Sequence, residues 1–333
     1  MVSTRSSTTD SELRIGTSGW NYPTGKGTWN GVFYPKPRPK GFDELAFYAR
    51  HFNTVEVNST FYGQPRAEVS RGWATRTPAD FEFAVKLYQK FTHPGMFRAR
   101  LEKDMPHMLR DDAAWVDGIA ALARPNAADL DEFRRGIDPL ASAGKLGALL
   151  AQFPASFKND DAARDYVIWL LRAFSDHRVA VELRHASWSD DLGATLKLLN
   201  EFQAAWVQID EPKFRFSIRQ NYLPNIKGFY YMRLHGRNAK QWWRHEKSED
   251  RYNYLYSSDE LKEFSETLGA ARRLVQKAYL FTNNHYSAQS VANAKMIQEQ
   301  LGEPVRGDIF IPEQTPVESR RRARGAKVRP LLQ

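Results

Sequence analysis

Cysteine is absent from all 333 residues. This excludes disulfides, thiolate nucleophiles and cysteine-bound metals or clusters. It agrees with a reducing compartment, so a cytoplasmic location is expected. Long hydrophobic runs are missing as well. The apolar stretches are strand-sized, well short of the roughly 20 residues that span a bilayer, and no membrane partner is expected. The first twelve residues lack the apolar segment of a secretory signal and read as a disordered arm. No Gly-x-Gly-x-x-Gly follows the first strand, which argues against a dinucleotide-binding open sheet. No His-x-His or His-Glu-x-x-His spacing points to a metal. There is no internal repeat.

What is present is ample for a large core: 42% of residues are hydrophobic and 13% aromatic. The net charge is +9. Residues 318–333 hold Arg320, Arg321, Arg322, Arg324, Lys327 and Arg329 against Glu318. Residues 313–333 therefore read as a flexible basic tail. It is either a solvated charged segment or a contact for nucleic acid or another polyanion.

Between arm and tail, apolar strands alternate with helical patterns. Strands are expected at 13–16, 54–58, 81–86, 147–152, 179–183, 205–209, 229–234 and 279–282. Helices are expected near 43–52, 65–75, 128–143, 160–174, 189–203, 258–276 and 287–301, with Asp43 capping the first. The interval 87–127 reads as an excursion with one short helix. Nearly continuous apolar strands imply burial on both faces and hence parallel pairing. The fold class is therefore α/β: a parallel eight-stranded (β/α)8 TIM-like barrel over residues 13–312, with extended loops on its C-terminal face.

In such a barrel the C-terminal ends of the strands carry the chemistry. They supply Glu56 and Asn58, Lys86, Gln152, Glu182 with Arg184 and His185, Gln208 and Asp210, Arg233 with His235, and Asn283 with Asn284 and His285. Isolated charges inside a barrel are costly unless paired, so this set is either a site or an ion network that shapes the barrel. Read as a site, Glu56 and Glu182 are an acid/base pair. Lys86 stabilises an oxyanion or forms a Schiff base, and His235 is a second proton carrier. Arg184, Arg233 and Arg237 clamp a phosphate or carboxylate. Trp20, Tyr22, Asn58, Tyr62, Gln152, Asp210, Asn283 and Asn284 complete the ligand contacts. Glu56, Glu182, Asp210, His185 and His235 are also metal-ligand types, but the neighbouring cations disfavour a divalent ion, and no cofactor is predicted. His93 and His107 read as loop residues without partners. The loop 236–257 mixes arginines with Trp242, Trp243, Tyr252, Tyr254 and Tyr256. It suits a lid, a stacking surface for bases or sugars, or plain packing.

Several stretches together resemble one family: Ile15-Gly16-Thr17-Ser18-Gly19-Trp20, Phe33-Tyr34-Pro35, Val55 to Pro65, Phe83-Ala84-Val85-Lys86, Gln152-Phe153-Pro154, Val181-Glu182-Leu183-Arg184-His185 with Trp188, Arg233-Leu234-His235-Gly236-Arg237, and Asn283-Asn284-His285-Tyr286 with Asn293-Ala294. They look like the domain of unknown function 72 family, also called YecE-like, and cover about residues 13–302. The resemblance implies a TIM-like barrel and treats Glu56, Asn58, Lys86, Glu182, Arg184, Arg233, His235 and Asn283 as one site. It assigns none of them a role. The chain departs from the family pattern at Gly25-Lys26-Gly27-Thr28 and at Ser287-Ala288. The expectation is an enzyme (hydrolase, lyase or isomerase) acting on a small anionic substrate. Its rivals are a nucleic-acid-binding protein or nuclease using the tail and the aromatic loop, and a non-catalytic metabolite-binding barrel.

Overall fold

The computed structural model describes residues 11–104, 113–220 and 227–307. The basic tail with its nucleic-acid reading, His107 and all but the last two residues of the expected arm lie outside them. Strand β1 (Glu12–Thr17) and helix α1 (Glu44–Tyr48) come first, then β2 (Thr54–Val57), α2 (Ala67–Thr75) and β3 (Glu82–Lys86). Three helices follow, α3 (Gln89–Thr92), α4 (Pro94–Asp104) and α5 (Ala113–Leu122), and then α6 (Ala127–Ser142). After β4 (Leu146–Gln152) come α7 (Asp161–Ala173), β5 (Val179–Glu182), α8 (Ala186–Asp190), α9 (Leu192–Glu201), β6 (Ala205–Trp206) and β7 (Gln208–Asp210). The chain continues through β8 (Tyr230–Leu234), α10 (Ala239–Trp242), α11 (Ser258–Ala271), β9 (Lys277–Thr282) and α12 (Gln289–Gln300).

The result is an α/β fold with two parallel sheets, ordered β1-β9-β8-β7 and β2-β3-β4-β5-β6. A lone parallel bridge between Ser18 and Glu56 links β1 to β2. Gly16 permits this approach, since a Cβ there would lie 2.3 Å from the Thr54 carbonyl oxygen. The strand expected over 205–209 is broken at Val207, and Gln220 accounts for the break. Its side-chain amide donates to the Val207 carbonyl at 2.8 Å and accepts from Ile209 N at 3.0 Å, standing where a neighbouring strand would pair. The helix expected over 189–203 is likewise two helices, divided at Asp191.

Local chemistry explains several helix starts. Asp43 caps α1 through Ala46 N at 2.9 Å. Asn126 with Asp129, and Ser257 with Glu260, form capping boxes for α6 and α11. Within 87–127, three helices replace the single one expected. Proline suits a first helical turn, and Pro94 starts α4 directly after α3 ends at His93. Helix α7 buries Val167, Leu170 and Leu171, following its apolar spacing. Among the described residues no helix is long and apolar enough to cross a membrane.

Candidate functional site

All the strands run the same way, so their C-terminal ends face one side, and there the polar residues meet. Arg233 on β8 is the hub, 1% exposed. Its Nε and Nη2 reach the two oxygens of Glu56 on β2 at 2.9 and 2.6 Å. Its Nη1 reaches Glu182 Oε2 on β5 at 2.5 Å and Gln152 Oε1 on β4 at 2.9 Å. Glu56 also accepts from Ser18 Oγ at 2.8 Å and from the Tyr231 hydroxyl at 2.7 Å. Glu182 accepts from Arg184 Nε at 2.7 Å, and Arg184 Nη1 lies 3.4 Å from Glu211. His235 completes the chain: Nε2 is 3.6 Å from Glu182 Oε1, and Nδ1 is 2.8 Å from the Asn283 amide nitrogen.

Lys86, the last residue of β3, stands apart in its partners. Its ammonium lies 4.2 Å from the centroid of the Phe61 ring and donates to Gln152 Oε1 at 3.1 Å. Among the described residues no carboxylate lies within ion-pair distance of it. Burial pushes its pKa down to about 7, and Arg233 adds to the fall, against Glu182 and Glu56. Glu182 behaves oppositely. Burial works against its charge, but Arg233, Arg184 and His235 hold it well below the usual carboxylate range. His235 is driven down to about 4 by burial and Arg233, so it is neutral at pH 7. Burial raises Glu211, although Arg184 pulls the other way.

The predicted residues thus divide. Glu56, Lys86, Gln152, Glu182, Arg184, Arg233, His235 and Asn283 form one connected cluster. Tyr22 borders it: its hydroxyl donates to the Ser18 carbonyl at 2.5 Å and its ring stacks on His285 at 4.3 Å. Asn58 presents a buried Oδ1 without a hydrogen-bond partner. Trp20 packs edge-on against Trp73, and Tyr62 is 69% exposed. Asp210 and Arg237 belong to another assembly. Asp210 takes Arg237 Nε at 2.9 Å and the Tyr256 hydroxyl at 2.7 Å, while Arg237 continues to Glu263 on α11 at 2.6 Å. Asn284 ties loops together, donating to the Tyr254 carbonyl and to Asn293 Oδ1, each at 2.7 Å. His185 caps α8 through Ser187 N. Among the described residues no group of three or more metal-ligand side chains converges.

Sequence reasoning missed Ser18, Phe61, Tyr231, His93 and Glu211. Tyr231 was within reach, because strand alternation places it on the same face as Arg233. His93, read as a partnerless loop residue, ends α3 beside the cluster. Its Nδ1 is 2.9 Å from Thr92 Oγ1 and its ring meets the Phe61 edge at 5.0 Å. Burial, with Lys86 adding, lowers its pKa to about 3. No local sequence signal marks it.

A cleft of about 680 Å³ lies elsewhere, at the N-terminal starts of β4, β5 and β9, lined by His177, Arg178, Gln203 and Lys277 among others. The carboxylate–guanidinium–lysine chemistry is at the opposite end of the strands, and polar convergence is the better guide to a site than volume alone.

Comparison with known proteins adds the following. The sequence pattern of the family described as "Protein of unknown function DUF72" matches residues 14–318. UPF0759 protein YunF of Bacillus subtilis is 26% identical over 306 residues, covering 87% of this chain and 94% of that protein. UPF0759 protein YecE of Escherichia coli is 40% identical over 65 residues, 20% of this chain and 24% of that protein. A crystal structure of a DUF72 family protein from Thermotoga maritima superposes with a TM-score of 0.67 at 32% identity, covering 88% of this chain and all of that one. One from Enterococcus faecalis has a TM-score of 0.69 at 23% identity over 91% of this chain and 99% of that one, a likeness of fold.

Proposed function

The chain belongs to the DUF72 family, and from that premise we propose that its two sheets close into a single (β/α)8-type barrel over residues 13–312 whose mouth is an enzyme site for a small phosphate- or carboxylate-bearing substrate. The Ser18–Glu56 bridge supports closure on one side. The hydrogen bond from Val207 N to the Val181 carbonyl, at 2.9 Å, supports continuity on the other.

One observation carries the functional reading: Lys86 is a partly buried amine with no carboxylate partner among the described residues, set beside an ion cluster whose arginines are paired. Glu56 and Glu182 spend their oxygens on guanidiniums and hydroxyls. In this reading they are the rigid electrostatic frame, and proton exchange near neutral pH falls to Lys86, whose pKa of about 7 suits it. Arg184, only partly buried, offers the cationic contact for the substrate anion through Nη1, whose link to Glu211 is long at 3.4 Å, while Glu182 holds its Nε and Nη2. His235, neutral and held by Asn283, positions the Glu182–Arg184 pair.

The test is thermal stabilisation by a panel of phosphate- and carboxylate-bearing metabolites. A member that raises the melting temperature of the native chain is expected to lose most of that effect in Lys86→Met and in Arg184→Met. A shift retained in both variants contradicts the site.

A second reading has its own observation. Phe214, half-buried, and the exposed Phe216 and Trp243 form a ring cluster, with centroids 5.6 to 6.2 Å apart. Lys213, Arg215 and Arg244 are exposed beside them in the sequence. Such a surface suits a single-stranded nucleic acid. Salt-insensitive or absent binding of an oligonucleotide counts against it.

A further inference from the structure

Four sheltered lysines of this fold differ in what they touch. Lys90 pairs with Asp129 at 2.7 Å. Lys145 donates to the Ala74 and Thr77 carbonyls at 2.6 and 2.7 Å. Lys277 pairs with Glu82 at 2.5 Å. Lys86 alone among these four has neither carboxylate nor backbone carbonyl. Its one acceptor among the described residues, Gln152 Oε1, is shared with Arg233 Nη1.

The groups around its nitrogen come from several elements. The Phe61 ring follows β2, Arg233 and His235 lie on and just after β8, Glu182 and Arg184 at the end of β5, Glu56 on β2, and His93 at the end of α3. Two guanidiniums disfavour a third positive charge there, and the two carboxylates that would favour it are already engaged. An amine kept unpaired in a cationic, partly desolvated position is suited to nucleophilic use.

We propose that Lys86 is an imine-forming nucleophile for a small aldehyde or ketone that also carries a carboxylate or phosphate group. The neutral amine adds its lone pair to the carbonyl carbon, and the C–O π bond breaks to give a carbinolamine. Two protons pass in turn from nitrogen to oxygen, the C–O bond breaks, and water leaves. One proton from solvent converts the imine to the iminium. Nothing is oxidised or reduced. The anionic group of the substrate takes Arg184. This inference rests on the reading of the cluster as a ligand site and adds the covalent step and the substrate class.

The experiment is hydride trapping. The full chain is treated at pH 7.5 with sodium borohydride and pyruvate, dihydroxyacetone phosphate or acetone, and the adducts are mapped by mass spectrometry of peptides. The expected result is a reduced adduct on Lys86 formed at least about tenfold faster than on any other lysine, given the roughly 600-fold larger neutral fraction at pH 7.5 of an amine near pKa 7 than of one near 10.4. Pyruvate or dihydroxyacetone phosphate is expected to exceed acetone, and the better of the two identifies carboxylate or phosphate as the anchor. Lys86→Met, which removes the amine without adding a charge, is expected to keep or raise the native melting temperature and lose the adduct. Label spread evenly over exposed lysines overturns the proposal, as does no label on Lys86 with any of the three probes. Anion-dependent thermal stabilisation without trapping overturns the imine alone; the absence of both also removes the site on which it stands.

Discussion

At the N-terminal ends of the strands, Arg14, Glu82, Lys277 and Tyr279 form one sheltered ion cluster, the lower; at the C-terminal ends, Glu56, Glu182, Arg184, Arg233 and Lys86 form another, the upper. Both contain a tyrosine donating to a carboxylate, at 2.6 Å from Tyr279 to Glu82 and 2.7 Å from Tyr231 to Glu56. In the first cluster each cation has a carboxylate. Arg14 pairs with Glu12 and Glu82, and Lys277 reaches Glu12 at 2.7 Å and Glu82 at 2.5 Å. Arg14 Nη1 also donates to the Asp80 carbonyl at 2.7 Å. In the second, both arginines have carboxylates, while among the described residues the lysine has none. Local charge balance is what a structural plug needs. An unpaired amine costs stability, and such costs concentrate where chemistry is done.

The sharpest way to break this comparison is to remove the hub. Arg233→Met leaves Glu56 and Glu182 buried without their guanidinium. A loss of about 3–5 kcal/mol is expected by urea denaturation, the magnitude typical of a broken buried pair. A loss below about 1 kcal/mol would mean that the upper cluster is as loosely coupled as a surface pair.

Acid is expected to act mainly on the upper cluster. His235 titrates in the fold near 4, whereas a free imidazole does so near 6.5. Between these values the unfolded chain binds a proton that the folded chain does not, so stability falls as pH drops through the window. His93, near 3, and Glu182, held below the ordinary carboxylate range, push in the same direction. The part due to His235 is on the order of 3 kcal/mol by pH 4. Melting temperatures from pH 7 to pH 4 check it: His235→Asn is expected to flatten the slope, and a flat profile in the native chain contradicts the assignment.

The lower cluster has its own marker in Gly147. A Cβ there would meet the Tyr279 hydroxyl at 2.6 Å and Glu82 Oε2 at 2.8 Å. Gly147→Ala is expected to cost about 1–3 kcal/mol through this overpacking, with no change in anion response at the other end. The smallest effects give the cleanest contrast. Lys277→Met removes a paired, largely sheltered cation and is expected to cost about 1–2 kcal/mol. Lys86→Met removes an unpaired one and is expected to gain about 1 kcal/mol at pH 7, as replacement of costly functional groups commonly does. If both variants lose stability equally, the two ends are not different in kind.

Much of this was legible in the sequence because strand alternation is local. Val55 and Val57 face one way and Glu56 the other, so the carboxylate at the strand end could be read directly. The same period reads Tyr231, Arg233 and His235 as one face. What could not be read depended on distant partners. Asp210 and Arg237 look like mouth residues by position, yet α11 supplies Glu263 and draws Arg237 away. The break at Val207 depends on the Gln220 side chain, thirteen residues on. His93 reaches the cluster only through the path of α3 and the Phe61 ring. The division of roles inside the cluster was equally hidden, because which cation goes unpaired is a property of the assembled ring.

The most direct test of the central claim is the titration of Lys86 itself. In protein carrying 13C-labelled lysine, the Cε resonance absent from Lys86→Arg is followed from pH 5 to 11. A midpoint near 7 is predicted. A midpoint near the ordinary lysine value of about 10.4 would contradict the account, since Lys86 would then be a plain ammonium in a structural network.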